Sequence, residues 1–147
     1  MESVALLKKM ELFHGLSSLE IVQVSKRVTH RKVDAGEVVI EQGSVGSSLF
    51  IVRSGHLVAS VAKRDGQEVL GEFGPGDHFG EIALIDHGPR SAEIRATSPA
   101  ELLELTRESF RQIIDFSPDL KTQIYENLLR ELCVKIRRTN DRLLQML

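Results

Sequence analysis

Hydrophobic and polar positions follow two different spacings along this chain. Between residues 28 and 105, short apolar runs are separated by polar turn signals, and two of the runs alternate strictly, which is typical of β-strands. Before and after this part, apolar positions recur every three or four residues, as in amphipathic helices. Glycine follows the same division, because ten of the eleven glycines lie from Gly36 to Gly88. The pattern predicts a turn-rich β middle with helical ends.

The middle part predicts a small antiparallel barrel. Its expected strands are 38–40, 49–52, 57–62, 68–73, 91–97 and 102–105. The alternation in 57–62 and 91–97 indicates a sheet that is exposed on one face. A hairpin turn is expected at residues 64–67, where Gly66 supplies a positive φ. The fold class is therefore mainly β with flanking α, a small antiparallel β-barrel or jelly roll (double-stranded β-helix), and not an α/β nucleotide fold.

The two ends predict four helices. They are expected at 3–9, 17–27, 107–115 and from 118 to the C-terminus. Ser17 or Ser18 is expected to cap the second helix. The last and longest helix begins at Pro118 after Ser117, because proline at the first helical position behind a serine cap is a strong start signal.

The final helix carries a heptad-like apolar seam. Its members recur at steps of four and three: Tyr125, Leu129, Leu132, Ile136, Thr139, Leu143 and Met146. Such a seam predicts a homodimer through this helix. A seam of this length also fits a helix packed on its own barrel, and a second stripe at Leu120, Ile124 and Leu128 offers a face for that packing. Both arrangements remain open.

Composition places the chain among ordinary globular domains. It has 147 residues, 41% hydrophobic and 27% charged, with a net charge of −2. We therefore expect one domain over residues 1–147, divided into 1–27, 28–106 and 107–147. The charge gives no general attraction to nucleic acid. No apolar stretch reaches membrane-spanning length and the charged N-terminus does not fit a signal peptide, so we expect a cytoplasmic protein without membrane contact.

The densest chemistry lies in residues 74–85, where a turn and one apolar helical turn interrupt the strand pattern. Gly80 permits close approach of a ligand to the backbone, and the start of a short helix presents N–H groups to an anion. Arg90 supplies the planar cationic fork that suits a phosphate. The Glu81 carboxylate is an acceptor suited to a hydroxyl such as a ribose 2′-OH. By themselves, Glu81 and Arg90 also fit an ion pair that closes a loop.

These residues resemble the phosphate-binding cassette of the cyclic nucleotide-binding domain family, in which Phe-Gly-Glu and a short apolar helix precede an arginine and a small residue. The sensor domains of cAMP receptor proteins and of protein kinase regulatory subunits belong to this family. The resemblance extends over nearly the whole chain, through 35–40, Gly43, Gly46, 49–52, 54–55 and 74–77. One departure follows Gly43, where the family often has an acidic residue and this chain has Ser44 and Val45. We expect that loop to lie away from the ligand contacts.

The resemblance implies a set of ligand contacts at the matching positions. They are Phe79, Gly80, Glu81, Ile82, Ala83, Arg90, Ser91 and Ala92. Glu81 is implied to accept from the ribose 2′-OH and Arg90 to pair with the cyclic phosphate. Serine at position 91 favours cAMP over cGMP, because threonine there tends to accompany cGMP in this family. The polar candidates for covering the base are on the final helix: Arg137, Thr139 and Asn140.

The expected function is that of a sensor, in which cyclic nucleotide binding moves the C-terminal helices and acts on an unidentified downstream protein. Transcription activators of this family continue into a DNA-reading domain, whereas this sequence stops at Leu147. We therefore expect a stand-alone sensor that does not bind nucleic acid by itself. Two alternatives remain: a ligand-free dimerisation or interaction module of the same fold, and the sensing fragment of a larger DNA-binding transcription regulator.

The sequence gives no sign of an enzyme or of a metal cofactor. Its five histidines are scattered without a His-x-His pair, and a metal site needs three or four convergent ligands. No serine has a base spaced to activate it. Cys133, the single cysteine, cannot form an internal disulfide. We expect no catalytic residue, no metal, and no cofactor besides cAMP or cGMP as the ligand.

Overall fold

The computed structural model describes residues 2–147, and the chain forms two compact units. The larger unit is Lys26–Arg111 and contains the eight strands that the described residues form. The other unit combines the residues up to Ser25 with Gln112–Leu147, and it is helical.

The larger unit is a pair of antiparallel sheets. Its strands are β1 (Thr29–Val33), β2 (Val38–Ile40), β3 (Ser48–Ser54), β4 (Leu57–Lys63), β5 (Gly66–Phe73), β6 (His78–Phe79), β7 (Glu93–Ala96) and β8 (Ala100–Thr106). One sheet has the order β1-β8-β3-β6 and the other β2-β7-β4-β5. Strands that are distant in sequence are therefore neighbours in each sheet, which is the winding of a jelly roll. The predicted fold class, mainly β with flanking α, is confirmed.

Each of the six predicted strands is confirmed to within two residues at either end. Strands β1 and β6 were not predicted. The first of them buries only Val33 among polar neighbours, and the second has two residues, so neither carries a readable period. The hairpin is confirmed at residues 64–65, with Gly66 at a φ of 130°. The alternation expected in β4 fails at buried Ser60, because the β4–β5 register shifts beside that residue and a bulge turns the strand.

Aromatic packing between the sheets fixes the start of the candidate site. The Phe79 side chain is 3% exposed, and its ring centroid lies 5.4 Å from that of Phe50 and 5.2 Å from that of Phe73. Burial of a phenylalanine contributes about 1.5–3 kcal/mol, and such ring pairs add to it. Because β6 pairs with β3 through Phe79 and Phe50, the residues that follow Phe79 are held against the beginning of β3.

The helices are α1 (Glu2–Lys8), α2 (Ser18–Ser25), α3 (Arg107–Ile114) and α4 (Pro118–Gln145), with a 3-10 turn at Glu11–Phe13. The predicted cap of α2 is confirmed at Ser17, whose Oγ accepts from the Glu20 N–H at 3.2 Å while Glu20 accepts from the Ser17 N–H at 2.8 Å. The predicted cap of α4 is confirmed as well, since the Ser117 Oγ accepts from the Leu120 N–H at 3.0 Å.

Two faces of α4 differ in burial. Leu120, Ile124 and Leu128 are buried, so the second apolar stripe is a packing face. On the heptad seam, Leu129 is 63% exposed and Ile136 is 60% exposed. Among residues 2–147, no helix combines the length and the apolar character that crossing a bilayer requires.

A buried amide holds α4 to the segment before α2. Asn127 donates to the carbonyls of Leu12 and His14 at 2.9 and 2.8 Å. Its own carbonyl accepts from Gln123 at 3.1 Å. The amide is thus fully used within its own unit, which is the condition for burying a polar group at low cost.

Candidate functional site

The cassette begins at Gly80, a position that only glycine can occupy without backbone strain. Gly80 follows β6 with a φ of 86°, in the left-handed region that other residues avoid. A Cβ at this position would lie 2.8 Å from the carbonyl oxygen of Ser48 and 3.0 Å from a guanidinium nitrogen of Arg90. The chain then forms a 3-10 turn, Glu81–Leu84, in place of the expected short helix.

Arg90 is the cation of the site, and its backbone is held on both sides. Its N–H donates to the carbonyl of Ser44 at 2.7 Å, and its own carbonyl accepts from the Gly43 N–H at 2.8 Å. The guanidinium donates to the Ser48 carbonyl at 3.1 Å. The Ser48 hydroxyl in turn donates to Glu104 on β8 at 2.7 Å, so the acceptor that positions the guanidinium is itself fixed.

The guanidinium lies in a slot between two glycines. A Cβ on Gly46 would come within 2.5 Å of one of its nitrogens, and Gly80 bounds it on the other side. Burial lowers the pKa of Arg90 from its ordinary value, and the nearby charge of Arg107 lowers it further. The group nevertheless stays protonated at neutral pH, because arginine titrates far above that range. The slot therefore holds a permanent, partly desolvated positive charge.

A cavity of about 310 Å³ opens beside this charge. It is lined by Val38, Val39, Ile40, Glu41, Ser44, Val45, Gly46, Ser47, Ser48, Phe50 and Arg90. The volume lies at the lower end of the range for small-molecule sites. One wall is apolar, from β2 and β3, and the other is the polar loop between them. A cation at one end of a partly apolar cavity suits an anionic ligand with a flat, less polar part.

The expectation that the loop after Gly43 lies away from the ligand contacts was wrong. Ser44 and Val45 line the same cavity as Arg90, and the loop carbonyl of Ser44 holds the Arg90 backbone. Sequence spacing could not place this loop, because more than 40 residues separate it from Arg90 and only the closing of the sheets brings them together.

Of the eight predicted ligand contacts, Arg90 lines the cavity and Gly80 bounds the slot that holds its guanidinium. The other six have these environments: Phe79 in the core, Glu81 and Ala83 buried on the 3-10 turn, Ile82 and Ser91 exposed, and Ala92 half-buried. The prediction thus combined residues that approach the cavity with residues that support it or lie outside its lining, and their contact with a ligand stays a prediction.

The predicted base-covering residues lie on the exposed second half of α4. Arg137, Thr139 and Asn140 are all exposed. The Thr139 hydroxyl donates to the Lys135 carbonyl at 2.9 Å, so its own helix uses it. These three residues belong to the other compact unit, and their contact with a base stays a prediction.

Sequence reasoning missed Arg107, the first residue of α3. Its Nε donates to the Ala83 carbonyl at 2.9 Å, and one terminal nitrogen donates to Ala83 at 2.6 Å and to Asp86 at 3.1 Å. The other terminal nitrogen lies 2.7 Å from His87 Nδ1. No signal in the sequence separates Arg107 from exposed Arg111 one helical turn later, because both are polar residues at the start of an amphipathic helix.

Comparison with known proteins identifies the family of this arrangement. Residues 30–116 match the model of the cyclic nucleotide-binding domain. A cAMP-dependent protein kinase regulatory subunit from Blastocladiella emersonii is 36% identical to this chain. The match covers 82% of this chain and 30% of that regulatory subunit. The catabolite activator protein of Thermus thermophilus has a TM-score of 0.81 and 32% identity, covering 90% of this chain and 61% of its own.

A third similar structure contains a ligand. The regulatory domain of Toxoplasma gondii PKA, crystallised with cAMP, has a TM-score of 0.72 and 33% identity, covering 76% of this chain and 43% of that one. The chain therefore belongs to the cyclic nucleotide-binding domain family.

Proposed function

We propose that this chain is a regulatory domain that binds a 3′,5′-cyclic nucleotide, with cAMP preferred over cGMP, in the cavity beside Arg90. The observation that carries the proposal is the slot between Gly46 and Gly80, which holds a permanent cation at the end of a cavity of about 310 Å³. The slot fits the Arg90 guanidinium closely, because neither Gly46 nor Gly80 could carry a Cβ without crowding it. The relatives supply the ligand class, because two of them are named for cAMP.

The cyclic phosphate is the group that Arg90 would bind. In the structure the guanidinium donates to a neutral carbonyl, that of Ser48. A phosphate oxygen is an ionised acceptor, and charge-assisted hydrogen bonds are roughly twice as strong as neutral ones. Part of the guanidinium is already desolvated, so its desolvation cost is met in folding and not at the moment of binding.

The remaining contacts follow the family pattern. Glu81 would accept from the ribose 2′-OH, with Gly80, Ile82 and Ala83 around the sugar and phosphate. The apolar wall from β2 and β3 offers a surface for the flat base. In this family threonine at the position of Ser91 tends to accompany cGMP, so the serine in this chain supports cAMP.

Calorimetric titration of the purified chain with cAMP, cGMP and 5′-AMP tests this proposal. We expect cAMP to bind more tightly than cGMP, and 5′-AMP to bind weakly because its phosphate is an open dianion of different shape. Arg90→Ala should weaken cAMP binding by about tenfold to a hundredfold. Arg64→Ala, in the exposed hairpin turn, is the matched control and should leave the affinity unchanged. Absence of heat with every nucleotide would instead support a ligand-free interaction module.

A change in the helices after β8 is the proposed output. Ile82 and Ile85 on the cassette are 54% and 53% exposed, and Phe116 between α3 and α4 is 50% exposed. A rearrangement that buries half-exposed apolar side chains is favourable, because it removes their apolar surface from water. We expect hydrogen exchange to show cAMP-dependent protection in α3 and in the first turns of α4. Identical exchange with and without bound cAMP contradicts this output.

A homodimer through α4 is the proposed assembly. The exposed seam residues are Leu129, Ile136, Leu143 and Met146, which recur at heptad spacing. The chain would act in the cytoplasm on a downstream protein, without catalysis and without a metal.

A further inference from the structure

Arg107 is bound to both sides of the Arg90 slot. Its backbone N–H donates to the carbonyl of Ser47 at 2.7 Å, and Ser47 lines the cavity. Its guanidinium donates to the carbonyls of Ala83 and Asp86, at the end of the cassette turn. One residue thus ties the cavity loop to the cassette, within a single compact unit.

The contacts of the Arg107 side chain lie at the start of the segment that leads into Arg90. Asp86 and His87 open the link to that arginine, and Arg107 holds the carbonyl of the first and the ring of the second. The far end of the link is fixed at the Arg90 backbone by Gly43 and Ser44. Only residues 87–89 lie between the anchored Asp86 carbonyl and Arg90, so the link has little freedom and the position of Arg90 depends on the anchor at Arg107.

The charge of Arg107 acts in the same place. The two guanidinium groups are close enough for Arg107 to lower the pKa of Arg90. Two like charges held by carbonyl acceptors repel one another, and an anion placed beside them relieves the repulsion. The Arg107 guanidinium itself donates to the cassette carbonyls of Ala83 and Asp86, so these donors are already used within the fold.

We propose that Arg107 is a positioning residue of the phosphate site, whose guanidinium fork fixes the end of the cassette and thereby the place of Arg90. This inference rests on the proposed cyclic nucleotide binding. It assigns the fork, with its several directed donors, a function that a single ammonium cannot perform.

Two substitutions separate the fork from the charge. Arg107→Lys keeps the charge and removes the fork, and Arg107→Gln removes both. His87→Ala removes one contact of the fork from an exposed loop position, so it tests the same anchor if Arg107→Gln fails to fold. Arg111→Gln, an exposed position on the same helix, is the matched control. Each variant is titrated with cAMP well below its melting temperature, and the phosphorus NMR shift of bound cAMP is recorded.

Positioning predicts that Arg107→Lys weakens cAMP binding by about tenfold and that Arg107→Gln weakens it at least as much. His87→Ala should weaken it by about threefold, and the bound phosphorus shift should change in all three variants. The control should match the wild type in both measurements. If Arg107→Lys binds like the wild type while Arg107→Gln does not, charge alone matters and positioning is refuted. A lower melting temperature with unchanged affinity and phosphorus shift reduces Arg107 to a structural role and also refutes it.

The wild-type titration keeps this test apart from that of the proposed function. If the wild-type chain binds no cyclic nucleotide, the proposed function itself fails, and the inference about Arg107 falls with it. If the wild type binds and Arg90→Ala loses affinity while every Arg107 and His87 variant behaves as the wild type, the proposed function stands and only the positioning role is wrong.

Discussion

Replacement of Gly46 by alanine should separate ligand binding from stability. Gly46 does not have a positive φ, so alanine fits its backbone. The added Cβ would lie 2.5, 2.6 and 2.9 Å from three atoms of the Arg90 guanidinium, where an ordinary contact is 3.4–4 Å. The guanidinium must therefore move by about 1 Å or leave the slot, since a side-chain end yields more easily than backbone.

The two consequences have different magnitudes. An arginine released from the slot returns to water in the ligand-free protein, and alanine stiffens the unfolded chain by about 0.4–1 kcal/mol, so the free energy of unfolding should change by less than about 1 kcal/mol. Nucleotide binding loses the charge-assisted bond to phosphate, worth about 1.5–3 kcal/mol, which corresponds to a tenfold to hundredfold weaker Kd.

Urea unfolding and calorimetry with cAMP measure the two quantities on the same preparation. Gly74→Ala is the matched control, because its Cβ would enter open space at a φ that is not positive, and it should retain wild-type affinity. The double variant Gly46→Ala/Arg90→Ala should bind no more weakly than Arg90→Ala alone, because both changes remove the same interaction. Wild-type affinity in Gly46→Ala, or additive losses in the double variant, would refute the reasoning about the slot.

Three further variants test other parts of the structure. Gly80→Ala should lower the free energy of unfolding by about 1–3 kcal/mol and also abolish cAMP binding, because its φ is strained and its Cβ meets the Ser48 backbone; unchanged urea unfolding contradicts this. Asn127→Ala should cost about 1–3 kcal/mol in urea unfolding, because two carbonyls lose their donor, whereas a loss below 0.5 kcal/mol would mean that water replaces the amide. Ile136→Glu should shift the chain from dimer to monomer in light scattering while circular dichroism shows that the monomer stays folded, and a persisting dimer excludes the seam.

The sequence was informative wherever a local rule determines structure. The serine cap at Ser117 and the paired cap of Ser17 with Glu20 follow from side-chain chemistry within four residues, and both are confirmed. The strands with several apolar residues were predicted for the same reason, since their period is visible without their partners. The matching cassette identified Arg90 and Gly80, which the structure places beside one another.

The features that the sequence did not predict share one physical cause: each depends on contacts between residues that are far apart in the chain. The polar strand β1 becomes a strand because β8 pairs with it, and the loop at Ser44 and Val45 becomes a cavity wall because Arg90 is fixed on it from far along the sequence. Arg107 is distinguished from Arg111 only by the carbonyls within its reach. Periodicity and composition contain no information about such partners.

The junction of Phe79 and Gly80 makes the ligand site an extension of the hydrophobic core. The core ring of Phe79 and the left-handed backbone of Gly80 are consecutive, so a shift of the aromatic cluster is passed to the slot through one peptide bond. Substitution of Phe73, which packs against that ring and does not line the cavity, is then a means of tuning ligand affinity without altering a residue of the cavity wall. Substitutions that change ligand affinity in this fold can therefore lie in the interior of the barrel.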